Sequence, residues 1–213
     1  KIPKLGFGTW QIKQGEDAYQ AVSLALANGY RHIDTAQAYK NEQSVGKAII
    51  DSGLRREEVF ITSKLESHIK TYEGAQKAFY KTLKALKTDY LDLYLIHAPW
   101  PWNNMGKNCN KGNVEAYKAM EELYMLGKIR AIGVSNFEID HLDNIITNCD
   151  IVPHVNQISY FVGLNRKELL NYCAEREIFI VAYSPLAMGK LLDNEKVIEL
   201  AKKYQVTAAQ ICL

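Results

Sequence analysis

The sequence predicts an α/β fold, a (β/α)8 barrel whose eighth βα unit is missing from this chain. Short apolar segments alternate with amphipathic helical segments seven times, which is typical of a parallel sheet. No G-x-G-x-x-G motif follows the first strand, where an open dinucleotide-binding sheet would carry it. Polar or ionisable residues end nearly every strand. In a closed barrel all of these ends face one mouth, so the third observation also favours the barrel.

Local signals predict the individual elements in order along the chain. Each predicted strand is a short apolar run that ends at polar, glycine or proline residues. The predicted strands are Leu5–Trp10, His32–Ile33, Val59–Ser63, Leu91–Ile96, Ile129–Val134, Val155–Ser159 and Ile178–Tyr183. Each predicted helix repeats apolar residues at three- and four-residue spacing, and glycine closes several of them. The predicted helices are Asp17–Asn28, Asn41–Ile50, Thr71–Leu86, Val114–Leu126, Glu138–Thr147, Lys167–Glu175, Glu195–Tyr204 and Thr207–Leu213. The loop Trp100–Asn113 is the longest, and loops of that length are often functional.

Composition bounds the class of protein. The 213 residues have an ordinary globular balance, and we expect one domain, residues 1–213, incomplete at its C-terminus. The net charge is +2 without a basic block, so no nucleic-acid partner is expected. No apolar run approaches the roughly 20 residues that span a bilayer, and no signal peptide is visible. The four cysteines are scattered without a C-x-x-C motif, which indicates reduced thiols in a cytoplasmic protein and no metal site.

Three successive strands place an ionisable residue at their C-terminal end, namely Asp34, Lys64 and His97. Tyr39 follows in the loop after the first of these strands. A tyrosine hydroxyl with a pKa of about 10 is a weak acid, but the ammonium of Lys64 would lower that pKa and Asp34 would keep Lys64 charged. With His97 orienting a substrate oxygen, this set would suit protonation of a carbonyl. Each residue also has an ordinary structural explanation: a helix cap, a solvated lysine, a packed tyrosine or a core histidine.

Six motifs in chain order carry a resemblance to a known family. They are Gly6-Phe7-Gly8-Thr9-Trp10, Asp34-Thr35-Ala36-x-x-Tyr39-x-Asn41-Glu42, Leu95-Ile96-His97, Gly133-Val134-Ser135-Asn136-Phe137, Asn156-Gln157 and Ala182-Tyr183-Ser184-Pro185-Leu186. With these motifs the chain resembles an aldo-keto reductase along its whole length. It is similar in style to the small bacterial members of the diketogluconate and glyoxal reductase type.

The resemblance implies a barrel that binds NADPH across its mouth and reduces a small aldehyde or ketone. It implies Tyr39 as the proton donor, Asp34 and Lys64 as the pair that tunes it, and His97 as the residue that orients the carbonyl. The implied cofactor-binding residues are Gly8, Thr9, Trp10, Ser135, Asn136, Gln157, Tyr183, Ser184, Leu186 and Lys190. Of these, the Ser/Asn/Gln set would bind the carboxamide and Tyr183 would stack on the nicotinamide. Ser135 and Asn136 could instead cap the helix that follows.

The substrate side is predicted from tryptophans and from the catalytic set. Trp10 and Trp100 would line an apolar pocket with Tyr39 and His97, whereas rim packing is the favoured reading of Trp102. Phe161 and residues 103–110 are possible additions. The family's motif for the 2′-phosphate lies beyond the last residue of the sequence, so NADPH rather than NADH is implied by the resemblance alone.

The sequence therefore predicts a cytoplasmic, monomeric NADPH-dependent carbonyl reductase. One alternative is a cofactor-binding regulatory protein on the same fold with little turnover. Another is a different barrel enzyme, such as an isomerase. A Gly-rich phosphate loop after the seventh strand would mark the isomerase, but Ser184-Pro185-Leu186 stands there.

Overall fold

A computed structural model describes residues 1–213, and it confirms the predicted alternation of strands and helices. The strands are β1 (Phe7–Gly8), β2 (His32–Asp34), β3 (Phe60–Leu65), β4 (Leu93–Ile96), β5 (Ile132–Ser135), β6 (Val155–Ser159) and β7 (Phe179–Tyr183). The helices are α1 (Glu16–Ala27), α2 (Glu42–Asp51), α3 (Tyr72–Leu86), α4 (Asn110–Met125), α5 (Ile139–Asn148), α6 (Lys167–Glu175), α7 (Glu195–Tyr204) and α8 (Ala208–Cys212). None of the helices has the length and apolar character needed to cross a membrane.

The chain divides into two compact units, Lys1–Val155 and Asn156–Leu213. In the first unit β1 to β5 pair in chain order, and every pairing is parallel. The register sets Lys64 opposite Leu95 and Leu95 opposite Gly133. In the second unit the amide of Tyr160, which follows β6, donates to the carbonyl oxygen of Tyr183 on β7 at 3.4 Å. Parallel strands of this kind require crossover connections, which the intervening helices supply.

The core of the first unit lies on both faces of its strands. All four residues of β4 are fully buried, as expected when helices cover a parallel sheet. Two glycines allow close approach between elements. A Cβ on Gly46 would lie 2.5 Å from the carbonyl oxygen of Leu86, and one on Gly133 would lie 2.4 Å from that of Val155. Neither position has room for a side chain without moving backbone.

An ion cluster lies before β4, away from the strand end that carries His97. The buried carboxylate of Asp92 binds Arg56 at 2.9 Å and Arg130 at 3.1 Å, and it accepts the amide of Ile61 at 3.0 Å. The ring of Tyr90 lies 4.0 Å from one guanidinium carbon and 4.1 Å from the other. In barrels of this kind, residues at this end of the strands usually stabilise the fold and take no part in the reaction.

Several predicted boundaries shift by a few residues in the structure, and the shift at α4 bears on the loop after β4. Helix α4 begins at Asn110, four residues before the predicted start, because its first turn is polar and shows no apolar period. The predicted loop is shorter as a result, and it contains a 3-10 turn at Trp102–Asn104. The proposed cap role of Ser135 and Asn136 is wrong, since Glu138 occupies the N-cap of α5.

Candidate active site

Lys64 is the centre of the candidate site. Its side chain is 1% exposed, and its ammonium forms an ion pair with the carboxylate of Asp34. The same nitrogen donates to the carbonyl oxygen of Thr35 at 3.1 Å and lies 3.4 Å from the hydroxyl oxygen of Tyr39. The left-handed backbone of Lys40 ends the 3-10 helix Gln37–Tyr39, which holds the tyrosine near the end of its strand. The three predicted members therefore meet at one ammonium.

His97 completes the group from the end of β4. Its ring packs edge-to-face on Tyr39, with ring centroids 5.5 Å apart. The ring is buried, and its Nδ1 atom has no hydrogen-bond partner. Asn136, directly after β5, donates from its side-chain amide to the backbone carbonyl of His97 at 3.0 Å. The structure thus brings together all four residues for which the sequence predicts catalytic roles.

Burial and charge set the protonation states of this group. Burial works to lower the pKa of Lys64, but the charges of Asp34 and Tyr39 outweigh it, so the net pKa of Lys64 is raised. Lys64 is therefore a stable ammonium at neutral pH. Burial, reinforced by the charge of Lys64, lowers the pKa of His97 to about 3. His97 is therefore a neutral imidazole with one N–H to donate.

An asparagine that the sequence assigned only to a helix start holds the segment after β1. The Asn41 side-chain nitrogen donates to the carbonyl oxygens of Thr9 and Ile12 at 2.8 and 2.9 Å. Its oxygen accepts the hydroxyls of Thr35 at 2.9 Å and Thr9 at 3.4 Å. Asn41 is fully buried and satisfied on both ends, so it ties the segment that carries Trp10 to the end of β2.

The predicted residues of β1 lie beside Asp34. Gly8 pairs with Asp34 across the parallel ladder, and the amide of Thr9 donates to the carbonyl oxygen of Asp34 at 2.9 Å. Space is open at Gly8, where an added Cβ would meet nothing within 4 Å. Trp10, the next residue, is 52% exposed, so this segment also presents a flat apolar surface.

The other two tryptophans form a wall next to the histidine. The ring of Trp102 packs edge-on against His97 with centroids 5.7 Å apart, and Trp100 packs on Trp102 at 5.1 Å. The backbone amide of Trp102 donates to the hydroxyl of Ser67 at 3.3 Å. Trp102 is thus the tryptophan in contact with His97, whereas the sequence favours Trp100 for the pocket.

Ser135 ends β5, and Asn136 follows it directly. Ser135 is buried, and its hydroxyl oxygen accepts the amide of Asn136 at 3.0 Å. Asn136 has a left-handed backbone with φ of 61°, a conformation that asparagine tolerates better than most residues. The turn aims the amide of Asn136 back toward His97.

The remaining predicted residues lie in the second unit. Gln157 is buried on β6, and Tyr183 ends β7 with 37% of its surface exposed. Ser184 and Leu186 follow in a turn, and Lys190 lies exposed at its far end. The left-handed backbone of Ser184, with φ of 53°, makes the turn sharp. These features place a flat aromatic ring and a cation within one short segment.

A buried carboxylate to which the sequence gives no role supports β3. Glu42 is buried, and its two oxygens accept the hydroxyls of Ser63 at 2.7 Å and Thr82 at 3.3 Å. Burial raises its pKa. Ser63 precedes Lys64, so these bonds fix the strand next to the ammonium. A polar residue inside an apolar strand was the only available signal.

A parallel βα fold with a buried ammonium, a tyrosine and a neutral histidine at its strand ends defines a class of barrel enzyme that moves protons without a nucleophilic serine or cysteine. The chain belongs to the aldo/keto reductase family, because the model of the "Aldo/keto reductase family" matches residues 4–210.

Individual relatives agree with that membership. The glyoxal reductase of Bacillus subtilis (strain 168) is 46% identical over 213 residues, which is 100% of this chain and 74% of the relative. A crystal structure of an aldo/keto reductase from Brucella melitensis is 41% identical with a TM-score of 0.91, over 99% of this chain and 78% of that one. A Bombyx mori aldo-keto reductase in complex with NADP is 33% identical with a TM-score of 0.88, over 99% of this chain and 75% of that one. The predicted fold class, α/β of the (β/α)8 barrel type, is confirmed by these likenesses.

Proposed function

We propose that this protein reduces small aldehydes or ketones to alcohols with NADPH, and that Tyr39 delivers the proton. The observation that carries the proposal is the position of Tyr39, whose hydroxyl lies 3.4 Å from the buried ammonium of Lys64. When Tyr39 gives up its proton, negative charge forms on its oxygen, and a desolvated cation stabilises that charge more strongly than water would. Asp34 holds the cation in place through the ion pair. The charge of Asp34 also keeps Lys64 protonated, because it raises the pKa of the ammonium.

His97 is proposed to orient the substrate and not to donate the proton. A group with a pKa of about 3 is neutral at physiological pH, so it has no extra proton to transfer. Its N–H can donate to a carbonyl oxygen that lies between it and Tyr39. Two donors would then converge on the oxygen that gains negative charge, which is the arrangement that favours reduction at the carbon.

The residues at the strand ends suit NADPH, which supplies the hydride when bound. In the first unit, Asn136 and Ser135 offer donors and acceptors of the kind that a carboxamide requires. In the second unit, Gln157 offers an amide of the same kind. The exposed ring of Tyr183 offers a stacking surface, and the exposed ammonium of Lys190 suits a phosphate. We also assign cofactor-binding roles to Gly8, Thr9 and Trp10 of the first unit, and to Ser184 and Leu186 of the second. The relative from Bombyx mori, solved with NADP, supports this choice of cofactor.

The finer parts of the function follow from the relatives and from the thiols. Small dicarbonyls are proposed as substrates, because the relative from Bacillus subtilis is named glyoxal reductase. Trp10, Trp100 and Trp102 would supply the apolar side of that pocket.

All four cysteines are free thiols, which supports a reducing compartment such as the cytoplasm. A monomer is proposed, and nucleic acid is not proposed as a partner.

A direct assay tests the reductase function. We expect NADPH absorbance to fall when methylglyoxal is added, with a turnover number on the order of 1 to 1000 per second. A protein that binds NADPH tightly but reduces none of methylglyoxal, glyoxal and benzaldehyde would contradict the proposal. That result would instead favour a regulatory role on the same fold.

A further inference from the structure

Lys70, in the loop between β3 and α3, binds both ends of the loop that follows His97 through hydrogen bonds. Its ammonium donates to the carbonyl oxygen of Ala98 at 2.8 Å and to the side-chain oxygen of Asn113 at 2.6 Å. Asn113 is 1% exposed, and its amide nitrogen donates to the carbonyl oxygen of Pro99 at 2.9 Å. The two consecutive backbone carbonyls after His97 therefore both accept hydrogen bonds from side chains that are distant in sequence, Lys70 and Asn113.

These bonds close the loop from residue 98 to residue 113 at both ends. A Cβ on Gly112 would lie 2.6 Å from the Cβ of Lys70 and 2.8 Å from its carbonyl oxygen. The first turn of α4 thus packs directly on the backbone of Lys70. Between the closed ends lie Trp100 and Trp102, and the amide of Trp102 is held by Ser67 from the same β3–α3 loop. The loop after β3 therefore sets the position of the tryptophan wall.

The chemistry of Lys70 is unusual for a lysine that only packs against its neighbours. Its ammonium has no carboxylate partner and is held by neutral oxygens. Burial lowers the pKa of Lys70 to about 8, because the cation has exchanged water for these two neutral acceptors. Removing the ammonium would leave the oxygens of Ala98 and Asn113 without their donor. The start of the loop would then lose two of its fixed points.

We infer that Lys70 and Asn113 are positioning residues that set substrate size selectivity by fixing the Trp100–Trp102 wall against His97. This inference rests on the proposed carbonyl reductase function. It predicts a selective effect. A bulky aromatic carbonyl must contact the wall, whereas a three-carbon dicarbonyl can react at Tyr39 and His97 without it.

The first test compares two substrates in Lys70→Met. We expect KM for phenylglyoxal to rise about fivefold or more, while kcat/KM for methylglyoxal stays within about twofold. Lys111→Met, at an exposed lysine in the first turn of α4, is the matched control and should leave both unchanged. Equal changes for both substrates would overturn the inference, because a general loss of folding acts on both. Asn113→Asp, which keeps the acceptor for Lys70 but loses the donor to Pro99, replaces Lys70→Met if that variant does not fold.

The second test does not depend on turnover. In a Trp10→Phe background, fluorescence excited at a wavelength that tyrosine does not absorb comes from Trp100 and Trp102 alone, since the chain has 3 tryptophans. We expect Lys70→Met to raise the acrylamide quenching constant about twofold, because the wall loses its anchor. An unchanged constant would overturn the inference. If the wild-type protein reduces no carbonyl, the proposed function fails, and this measurement still decides whether Lys70 positions the wall.

Discussion

Removing Asp34 from the Asp34–Lys64 ion pair should lower the free energy of unfolding more than removing Lys64 does. Lys64 is 1% exposed, whereas the side chain of Asp34 is 16% exposed. Asp34→Asn therefore leaves a cation in the interior with only the weaker acceptors Thr35 and Tyr39. We expect a loss of about 3–5 kcal/mol in the free energy of unfolding near neutral pH. Lys64→Met leaves a carboxylate that can still reach water, and we expect a loss of about 2 kcal/mol.

The pH dependence should also change sign. In the wild type the pKa of Lys64 is raised above 10.5, the ordinary value for lysine. The ion pair's contribution to the free energy of unfolding is therefore complete below pH 10.5 and is lost as pH rises through the folded-state pKa. In Asp34→Asn burial is left to dominate, so the pKa of Lys64 falls below its unfolded value. The unfolded state then binds more protons, and stability rises with pH by up to about 1.4 kcal/mol per unit.

Urea unfolding near pH 7 and near pH 9.5 measures both effects. The difference between Asp34→Asn and wild type should shrink at the higher pH, and Asp34→Asn/Lys64→Met should be more stable than Asp34→Asn alone. Lys84→Met, at an exposed lysine of α3, serves as the control for removing a lysine. Equal losses for the two single variants, with parallel pH profiles, would refute the reasoning that Lys64 is the desolvated member of the pair.

Three further predictions follow from other contacts. Asn41→Ala removes four hydrogen bonds, so we expect a loss of about 2–3 kcal/mol and weaker NADPH binding by fluorescence titration; unchanged binding would mean that Asn41 does not hold the Trp10 segment. Asp92→Asn weakens two ion pairs away from the site. It should cost about 3 kcal/mol in urea unfolding and leave KM for methylglyoxal unchanged, and a raised KM would argue against the separation of the two ends. Because the pKa of His97 is lowered to about 3, the unfolded state takes up its proton first as pH falls below about 6.5, and wild-type stability should drop by up to about 1.4 kcal/mol per unit. His97→Gln should flatten that drop between about pH 6.5 and pH 4, and an unchanged slope would show that His97 is not the group responsible.

The sequence predicts the strand ends well, because a parallel βα fold brings them to the same edge whatever the details of packing. Asp34, Lys64 and His97 are each the last or next residue of an apolar run, so their meeting requires only the alternation of elements. Tyr39 follows by a short connection from β2. The family membership agrees with the motifs that contain these residues.

Contacts between distant side chains were not predictable in the same way. Asn41 looks like a helix start, but its partners Thr9 and Ile12 lie about 30 residues earlier and depend on how the segment after β1 folds back. The bond from Lys70 to Asn113 spans 43 positions. Neither residue belongs to an apolar pattern, and periodicity reports only on the face that is buried. Trp102 illustrates the same limit, since its contact with His97 depends on a 3-10 turn inside the loop.

Single-turnover reduction by Tyr39→Phe tests the central claim most directly. The change removes one hydroxyl that lies 3.4 Å from Lys64 and keeps the ring that packs on His97. We expect the reduction of methylglyoxal to slow about 100-fold or more, with the Kd for NADPH and the melting temperature little changed. Tyr80→Phe, at an exposed tyrosine of α3, should react at the wild-type rate. If Tyr39→Phe also reacts at the wild-type rate, Tyr39 is not the proton donor.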